Sequence, residues 1–289
     1  MPIIEPAIRP PAEAYSFLLQ ITTGCSANTC TFCGAYKGKE FKFKDLEEIY
    51  QDIESERKHE PRTRKVFLMD GDALVMSNKI IVPILKRLKT VFPKLTRVSS
   101  YANGYNIVKR TKAELDELCN HHLKLIYIGL ESGSENILRI SKKKSSAQEM
   151  VDAVRMASDS GIKSSVIVLL GLGGKKHSKE HVAETIKALN KMQPMYLSFL
   201  SLMLVPGTEL YKSKKSGDFE ELKPKDLLEE AHDILAGLEL DKTIFRCNHA
   251  SNYFNLEGRL PTDKDRLLQE LGQAINGTVG LRSEFFRGL

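Results

Sequence analysis

Short apolar runs of β-type composition alternate along the chain with segments in which apolar residues recur at helical spacing. The apolar runs are rich in aliphatic and aromatic residues, which suit a buried strand. Such an alternation predicts parallel strands joined by right-handed helical crossovers. The predicted strands are residues 15–22, 65–69, 95–100, 124–130, 163–170 and 195–204.

Helical periodicity separates these strands, and it changes after residue 208. The predicted helices between strands cover about residues 45–57, 77–89, 112–119, 134–160 and 178–191. Beyond them the pattern predicts a basic linker at 212–218, an amphipathic helix at 223–240, an irregular polar stretch at 245–258 and a last helix from Pro261 to about residue 275. The expected domains are an N-terminal segment (1–14), a barrel (15–208) and a C-terminal extension that covers it (209–289).

A polar or glycine-containing cluster follows every predicted strand. The clusters are Gly24-Cys25, Asp70-Gly71-Asp72, Ser100 to Asn103, Glu131-Ser132-Gly133, Gly171 to Gly174 and Pro206-Gly207-Thr208. Barrels build their sites from loops at the carboxyl ends of many strands, whereas an open sheet concentrates its site at one switch point. The sequence therefore predicts an α/β fold, a partial (β/α)6 TIM-type barrel with a C-terminal helical and irregular extension.

Composition excludes several classes of protein without selecting one. Of 289 residues, 42% are hydrophobic and 28% charged, which is ordinary for a globular protein. No apolar run approaches the roughly 18 residues of a transmembrane helix, and the N-terminus lacks a signal-peptide core. We therefore expect a cytoplasmic protein that does not enter the membrane. The net charge of +6 admits nucleic acid as a partner without implying it.

Three of the five cysteines, Cys25, Cys30 and Cys33, lie within nine residues after the first predicted strand. An odd number of cysteines argues against a complete disulfide framework, so the cluster indicates metal binding or redox chemistry. A structural zinc needs a fourth ligand, for which Cys247 or His249 would have to serve. A [4Fe–4S] cluster on three cysteines leaves one iron open. A structural zinc or iron–sulfur module associated with nucleic acid stays an alternative at this point.

The cysteine cluster, with Phe32 before its last cysteine, resembles that of the radical S-adenosylmethionine (radical SAM) superfamily. Four residues separate Cys25 from Cys30, where three are commonest in that family. Further stretches that resemble family motifs are FLMDGDAL (67–74), IGLESGSENIL (128–138), which is similar to Elp3-like members, and IVLLGLGG (167–174). The resemblance covers about residues 15–208. With the residues before the first strand too few for a further domain, we expect one cluster and no cobalamin domain.

The resemblance implies a role for individual residues. Cys25, Cys30 and Cys33 would ligate three irons, and SAM would chelate the fourth. The implied SAM contacts are Asp70, Gly71 and Asp72 at the methionine amino group, Ser100 at the ribose, Glu131 and Ser132 at the ribose or methionine part, Arg155 or Lys143 at the carboxylate, and Phe32, Leu170 and Val205 at the adenine. Taken alone, such acidic residues are equally ordinary in turns and on barrel rims.

The resemblance also implies the reaction. A reduced cluster gives one electron to SAM, and a 5′-deoxyadenosyl radical then abstracts a substrate hydrogen. This needs a one-electron donor such as flavodoxin or ferredoxin and a site closed to water, for which the extension would be the cover. The substrate is unknown. Candidate contacts to it, in a stretch that could equally be a solvated loop, are Asn248, His249, Asn252 and Tyr253. An RNA- or protein-modifying enzyme of the superfamily, such as a methylthiotransferase, stays a further alternative.

Overall fold

The structure is a computed structural model that describes residues 8–288. Contacts between backbone positions divide these residues into two compact units. The described residues of the first unit are 8–28, 35–128 and 155–164, and those of the second are 29–34, 129–154 and 165–288. Each unit contains both strands and helices.

The regular elements alternate along the chain as strand and helix. Within the described residues the strands are β1 (Phe17–Leu19), β2 (Thr22–Thr23), β3 (Lys42–Phe43), β4 (Lys65–Leu68), β5 (Arg97–Tyr101), β6 (Leu123–Glu131), β7 (Lys163–Leu170), β8 (Tyr196–Ser201), β9 (Thr243–Arg246) and β10 (Glu257–Leu260). The α-helices are α1 (Leu46–His59), α2 (Asn78–Val91), α3 (Gly104–Val108), α4 (Lys112–Asn120), α5 (Glu135–Ile140), α6 (Ala147–Asp159), α7 (Gly174–Met192), α8 (Glu209–Ser216), α9 (Pro224–Gly237) and α10 (Lys264–Ile275).

In the first unit β1, β4, β5 and β6 lie side by side, and each neighbouring pair is parallel. Val66, Phe67 and Leu68 on β4 are fully buried. Burial of consecutive residues is expected where helices cover both faces of a parallel sheet. The small strands β2 and β3 pair antiparallel outside this sheet, and the cysteine segment lies between them in the chain.

A buried charged network links the start of the chain to the strands of the first unit. Glu13 is fully buried, and both of its carboxylate oxygens lie 2.8 Å from Nη2 of Arg97. The Tyr127 hydroxyl donates to Glu13 Oε1 at 2.6 Å, and burial raises the pKa of Tyr127. Because a buried carboxylate is stable only when it is paired and hydrogen-bonded, this network fixes the chain around Glu13 on the unit.

In the second unit β7, β8 and β9 are parallel, and β10 pairs antiparallel with β9. The rings of Phe199 on β8 and Phe245 on β9 meet edge to face with centroids 4.9 Å apart. Helix α9 packs against both α7 and α10. An apolar cluster of this unit contains Ile137, Leu172, Leu202 and Leu210. The partly buried side chains of Phe32 and Leu204 pack against it.

Each of the six predicted strands contains an observed strand, so the predicted β/α alternation is confirmed. The predicted linker at 212–218 is wrong, because residues Glu209–Ser216 form helix α8. Thr208 caps that helix through a bond to the backbone N–H of Tyr211, and Gly217 ends it with a φ of 88°. A lysine-rich composition does not by itself indicate a linker, because lysine is a good helix former.

The prediction of an irregular stretch at 245–258 is also wrong at both ends, where β9 and β10 lie. Each of these strands has only four residues, too few to show a clear alternation of apolar and polar positions. Helix α10 begins at Lys264 rather than at Pro261. Among residues 8–288, no helix is both long enough and apolar enough to cross a membrane.

Candidate cofactor site

The three clustered cysteines follow β2 and are all half-buried. Cys25 belongs to the first unit, and Cys30 and Cys33 to the second. Within the second unit the segment 29–34 is held by its backbone: Thr31 N–H donates to the Ser141 carbonyl at 2.9 Å, and Leu210 N–H donates to the Thr31 carbonyl at 3.0 Å. The backbone of the segment is therefore fixed within the second unit.

Gly71 lies directly against Cys25. A Cβ at position 71 would stand 2.6 Å from Cys25 Cβ and 2.8 Å from its Sγ, closer than real Cβ contacts. The Gly71 N–H also donates to the Gly24 carbonyl at 3.0 Å. The turn after β4 therefore packs on the first cysteine because residue 71 has no side chain.

Asp70 precedes that glycine, with a left-handed φ of 68° and a fully buried side chain. Its Oδ2 accepts bonds from Gly24 N–H at 3.2 Å, Gln20 Nε2 at 3.1 Å and Lys39 Nζ at 3.3 Å. Burial raises the pKa of Asp70, and the nearby ammonium of Lys39 opposes that rise. The Oδ2 atom thus fastens the turn to the β2 region of its own unit.

Asp72, two residues further along the chain, is also buried, and hydrogen-bond donors surround one of its two carboxylate oxygens. Its Oδ2 accepts from Asn106 Nδ2 at 2.6 Å, from the Tyr105 hydroxyl at 3.2 Å and from Ser26 Oγ. Its other oxygen, Oδ1, is buried and has no hydrogen-bond partner within residues 8–288, and the same holds for Oδ1 of Asp70. A buried carboxylate oxygen without a donor is costly, so it is a suitable place for a cationic ligand group. None of Ser26, Tyr105 and Asn106 was singled out from the sequence.

Ser100, the predicted ribose contact, is fully buried near the end of β5. Its hydroxyl donates to the Tyr101 carbonyl at 2.8 Å. In this structure it therefore makes a local backbone bond, and its role towards SAM stays a prediction.

Glu131 ends β6 with a φ of 61°, in the left-handed region that a residue with a long side chain rarely adopts. Its Oε1 accepts from Lys143 Nζ at 3.0 Å, and both side chains are about one-tenth exposed. A Cβ on Gly129 would stand 2.1 Å from that same oxygen. Gly129 therefore leaves the space into which the Glu131 carboxylate folds.

Ser132 follows, is fully buried and lies against helix α7. Its Oγ is 2.8 Å from Nδ1 of His181, which is also fully buried. The nearest carboxylate to this histidine belongs to Glu230 of α9, with 3.9 Å between His181 Nε2 and Glu230 Oε2. Sequence analysis selected neither His181 nor Glu230, because both lie in amphipathic helices with no motif around them.

The residues expected around the adenine lie in the second unit. Leu170 is buried at the end of β7, and Phe32 and Val205 are half-buried. Val205 packs on the segment after the last cysteine, since a Cβ on Gly34 would stand 2.6 Å from Val205 Cγ1. Arg155, expected at the SAM carboxylate, is an exposed residue of α6. These assignments stay predictions.

The candidate substrate residues lie between β9 and β10. Asn252 is buried, and its side chain bonds to two residues of β8. Its Nδ2 donates to the Phe199 carbonyl at 2.8 Å, and its Oδ1 accepts from Ser201 Oγ at 2.9 Å. His249 Nδ1 lies 2.9 Å from Ser251 Oγ. Tyr253 is half-buried beneath Arg287, whose guanidinium lies 4.0 Å from the ring centroid, and Asn248 is exposed. The loop is therefore ordered by its own bonds, with Asn252 as its attachment to the sheet.

The Radical SAM superfamily profile matches residues 19–207, about two-thirds of the chain. The chain belongs to the radical SAM superfamily. This membership confirms the expected fold class, a mostly parallel α/β fold of the partial TIM-barrel type. An uncharacterized methyltransferase of Pyrococcus horikoshii is 27% identical over 205 residues, which are 70% of this chain and 42% of that protein.

Solved radical SAM structures share the fold at low sequence identity. Coproporphyrinogen III oxidase from Escherichia coli superposes with a TM-score of 0.57 at 16% identity, covering 76% of this chain and 51% of that one. Elp3 of Methanocaldococcus infernus gives 0.53 at 14% identity, covering 91% and 63%. The chain spans less than half the length of the curated relatives it matches.

Thiolates are the ligands of iron–sulfur clusters, so the cysteines of this radical SAM chain are chemically suited to hold one. Within residues 8–288, no three His, Cys, Asp or Glu side chains lie together as a metal site. Thiolate ligands must lose protons to bind, and a site of this kind is rarely preformed without its metal. Burial raises the pKa of the Cys247 thiol to about 12, which makes it a poor fourth ligand. Membership of the radical SAM superfamily implies a [4Fe–4S] cluster and SAM as cofactors.

Proposed function

We propose that this chain holds one [4Fe–4S] cluster on Cys25, Cys30 and Cys33 and binds SAM against the turns after β4 and β6, as a radical SAM enzyme. The observation that carries the proposal is the turn Asp70-Gly71-Asp72, which packs on Cys25 while a buried oxygen of Asp72 lacks a donor. The turn that packs on Cys25 also carries the unsatisfied carboxylate oxygen of Asp72. This arrangement suits a cofactor that offers an ammonium group.

In this proposal Asp72 receives the methionine ammonium of SAM on Oδ1. Ser26, Tyr105 and Asn106 already occupy Oδ2, so they hold the carboxylate in one orientation. Gly71 permits close approach of the backbone, because any side chain there would meet Cys25. Charge-assisted bonds of this kind are stronger than neutral ones and fix both position and orientation.

Glu131 and Lys143 supply a second polar group to SAM. The ion pair of 3.0 Å neutralises the glutamate, and Gly129 gives its carboxylate room to turn towards a ligand hydroxyl. Ser132, Ser100, Phe32, Leu170 and Val205 complete the proposed pocket, with Arg155 as the weakest member because it is exposed.

Cys25, Cys30 and Cys33 would hold the cluster, which would supply the one-electron reduction of SAM needed for abstraction of a hydrogen atom from the substrate. The chain's own residues bind and orient SAM and exclude water from it. We propose that residues 209–289 contribute this cover, since Asn252 ties the loop before β10 to β8. The electron donor would be flavodoxin or ferredoxin, and the substrate would be recognised by this extension and its polar loop.

The test is anaerobic purification followed by iron and sulfide analysis and a SAM cleavage assay. About four irons and four sulfides per chain are expected. After reduction with dithionite, chromatography should show 5′-deoxyadenosine and methionine formed slowly without substrate. Zinc in a colourless protein would support a structural metal module instead, and S-adenosylhomocysteine as the sole product would indicate ordinary methyl transfer.

A further inference from the structure

The turn after β6 is fastened to helix α7 through three consecutive residues. Ser132 Oγ bonds to His181 Nδ1, Gly133 N–H donates to Thr185 Oγ1 at 3.0 Å, and Ser134 Oγ donates to Glu180 Oε1 at 2.5 Å. Gly133 also lies so close to α7 that a Cβ there would stand 2.2 Å from the Glu184 carbonyl oxygen. The position of Glu131, one residue earlier, therefore depends on α7.

The glycine turn after β7 is fastened to helix α9 instead. Gly171 has a φ of 82°, and its N–H donates to Glu230 Oε2 at 2.5 Å. Ser178 Oγ, on α7, donates to Glu230 Oε1 at 2.7 Å. One buried carboxylate from the C-terminal part of the chain thus joins the β7 turn to the helix that carries the β6 turn.

His181 continues this connection to Ser132. Its Nε2 is fully buried, has no hydrogen-bond partner within the described residues, and lies 3.9 Å from Glu230 Oε2. Ser134 N–H donates to Ser132 Oγ at 3.1 Å, which directs the Ser132 hydroxyl proton towards His181 Nδ1. A neutral His181 then carries its proton on Nε2, facing Glu230. In this arrangement the donor groups of Gly171, Ser178 and His181 all face the Glu230 carboxylate.

We propose that Glu230 and His181 are positioning residues that hold the β6 and β7 turns together, so that helix α9 sets the affinity of the protein for SAM. This rests on the proposed function, in which those two turns contact SAM. Neither residue would touch the cofactor, and both act through the backbone of Gly171 and the hydroxyl of Ser132.

The connection depends on the ionisation of Glu230. Burial raises the pKa of Glu230 to about 7, while the bonds from Ser178 and Gly171 oppose the rise, and burial lowers the pKa of His181 to about 4. Near pH 8 the carboxylate accepts from its donors. Below pH 7 it is protonated and neutral, so its bonds from Gly171 and Ser178 lose their charge assistance and weaken. Other charged groups lining the cleft beside Glu230 are Lys175, Lys179, Lys223, Asp226, Glu229 and Asp233.

The test compares Glu230→Gln with Glu229→Gln, an exposed neighbour on the same helix. SAM binding to the anaerobic, reconstituted protein is measured by calorimetry at pH 6 and pH 8. Wild type and Glu229→Gln should bind about fivefold more tightly at pH 8. Glu230→Gln should bind equally at both pH values, with the weaker affinity. Ser178→Ala removes a bond that favours the charged carboxylate, so it should move the midpoint of the pH dependence upwards.

A second measurement needs neither cluster nor SAM. Amide hydrogen exchange at residues 131–134 and 171–174 of the metal-free protein should be faster in Glu230→Gln than in Glu229→Gln at pH 8. Equal exchange in the two variants, or a wild-type pH profile of SAM affinity in Glu230→Gln, would overturn the inference. A wild-type protein with a full cluster that binds no SAM would overturn the proposed function instead, and the exchange result would still decide whether the connection exists.

Discussion

The turns after β4 and β6 share a backbone conformation but use their acidic residues differently. Asp70 and Glu131 both have left-handed φ values, 68° and 61°. Asp70 is fully buried, and its Oδ2 accepts from three donors of the first unit. Glu131 is half-buried and its carboxylate contacts Lys143 in the second unit. The fold uses Asp70 to fasten a loop of its own unit, whereas Glu131 pairs with a lysine side chain.

The left-handed backbone conformation costs more free energy at Glu131 than at Asp70. Aspartate tolerates the left-handed region because its short side chain bonds locally, and Asp70 does so. Glutamate gains less there, and strain of about 1 kcal/mol persists only where surrounding contacts impose it. For Glu131 those contacts are the bonds of residues 132–134 to α7. Strain of this kind is common at ligand sites, which makes Glu131 the better candidate for binding.

The largest effect is expected from the three cysteines of the proposed cluster. Cys25→Ala, Cys30→Ala and Cys33→Ala should each abolish the cluster, because three thiolates are the minimum for a cluster with one open iron. Cys119→Ala should keep it, since Cys119 is buried on α4 and its Sγ lies 3.1 Å from Lys124 Nζ. Iron per chain is the measurement. Normal iron in the Cys30 variant would contradict the assignment.

Glu131→Gln tests the proposed contact between the Glu131 carboxylate and SAM. Loss of a charge-assisted bond worth about 1.5–3 kcal/mol should weaken SAM binding by roughly 10–150-fold, with iron content unchanged. Calorimetry on the reconstituted protein measures it. Glu184→Gln is the matched control, because Glu184 forms a surface ion pair with Lys187 on α7. Wild-type affinity in Glu131→Gln would make this residue a rim carboxylate like many others.

Gly71→Ala tests the packing of the β4 turn on Cys25. The new Cβ would overlap Cys25, and overpacking of this kind costs about 1–3 kcal/mol in unfolding free energy. Iron content should fall, though less than in Cys25→Ala. Gly272→Ala is the control: it lies in α10 with open space around it, and alanine there should stabilise the helix by about 0.5–1 kcal/mol. Full iron and unchanged unfolding in Gly71→Ala would show that the turn can move away.

The smallest effect is expected from Asp70→Asn. Because the carboxylate of Asp70 already forms an ion pair with Lys39 at 3.3 Å, a further ammonium group gains little there, and SAM affinity should change by less than about threefold. Burial raises the pKa of Asp70, so its contribution to stability is greatest below the unfolded pKa and is lost as pH rises through the folded value. Asparagine should abolish that dependence, which denaturant unfolding at several pH values would detect. A loss of SAM affinity as large as that of Glu131→Gln would reverse the comparison.

The sequence alone determined the alternation of strands and helices, because buried parallel strands need continuous apolar runs such as residues 65–69. It also determined the local chemistry: the three clustered cysteines lie within one short segment, Gly71 directly follows Asp70, and Gly129 lies two positions before Glu131. These features are local, so spacing and residue type are enough to find them. The short strands β9 and β10 and the helix α8 were missed, because their pattern is too brief or their composition is ambiguous.

Only the tertiary structure decided which polar atoms remain for a ligand. Ser26 and the consecutive residues Tyr105 and Asn106, from two separate segments, all bond to Oδ2 of Asp72, and its Oδ1 is left without a partner within residues 8–288. Glu230 meets Gly171 across 59 positions of the chain, and His181 meets Ser132 across 49. Hydrogen bonds between distant residues leave no periodic trace in a single sequence. Burial then changes the pKa of each partner, which residue type alone does not indicate.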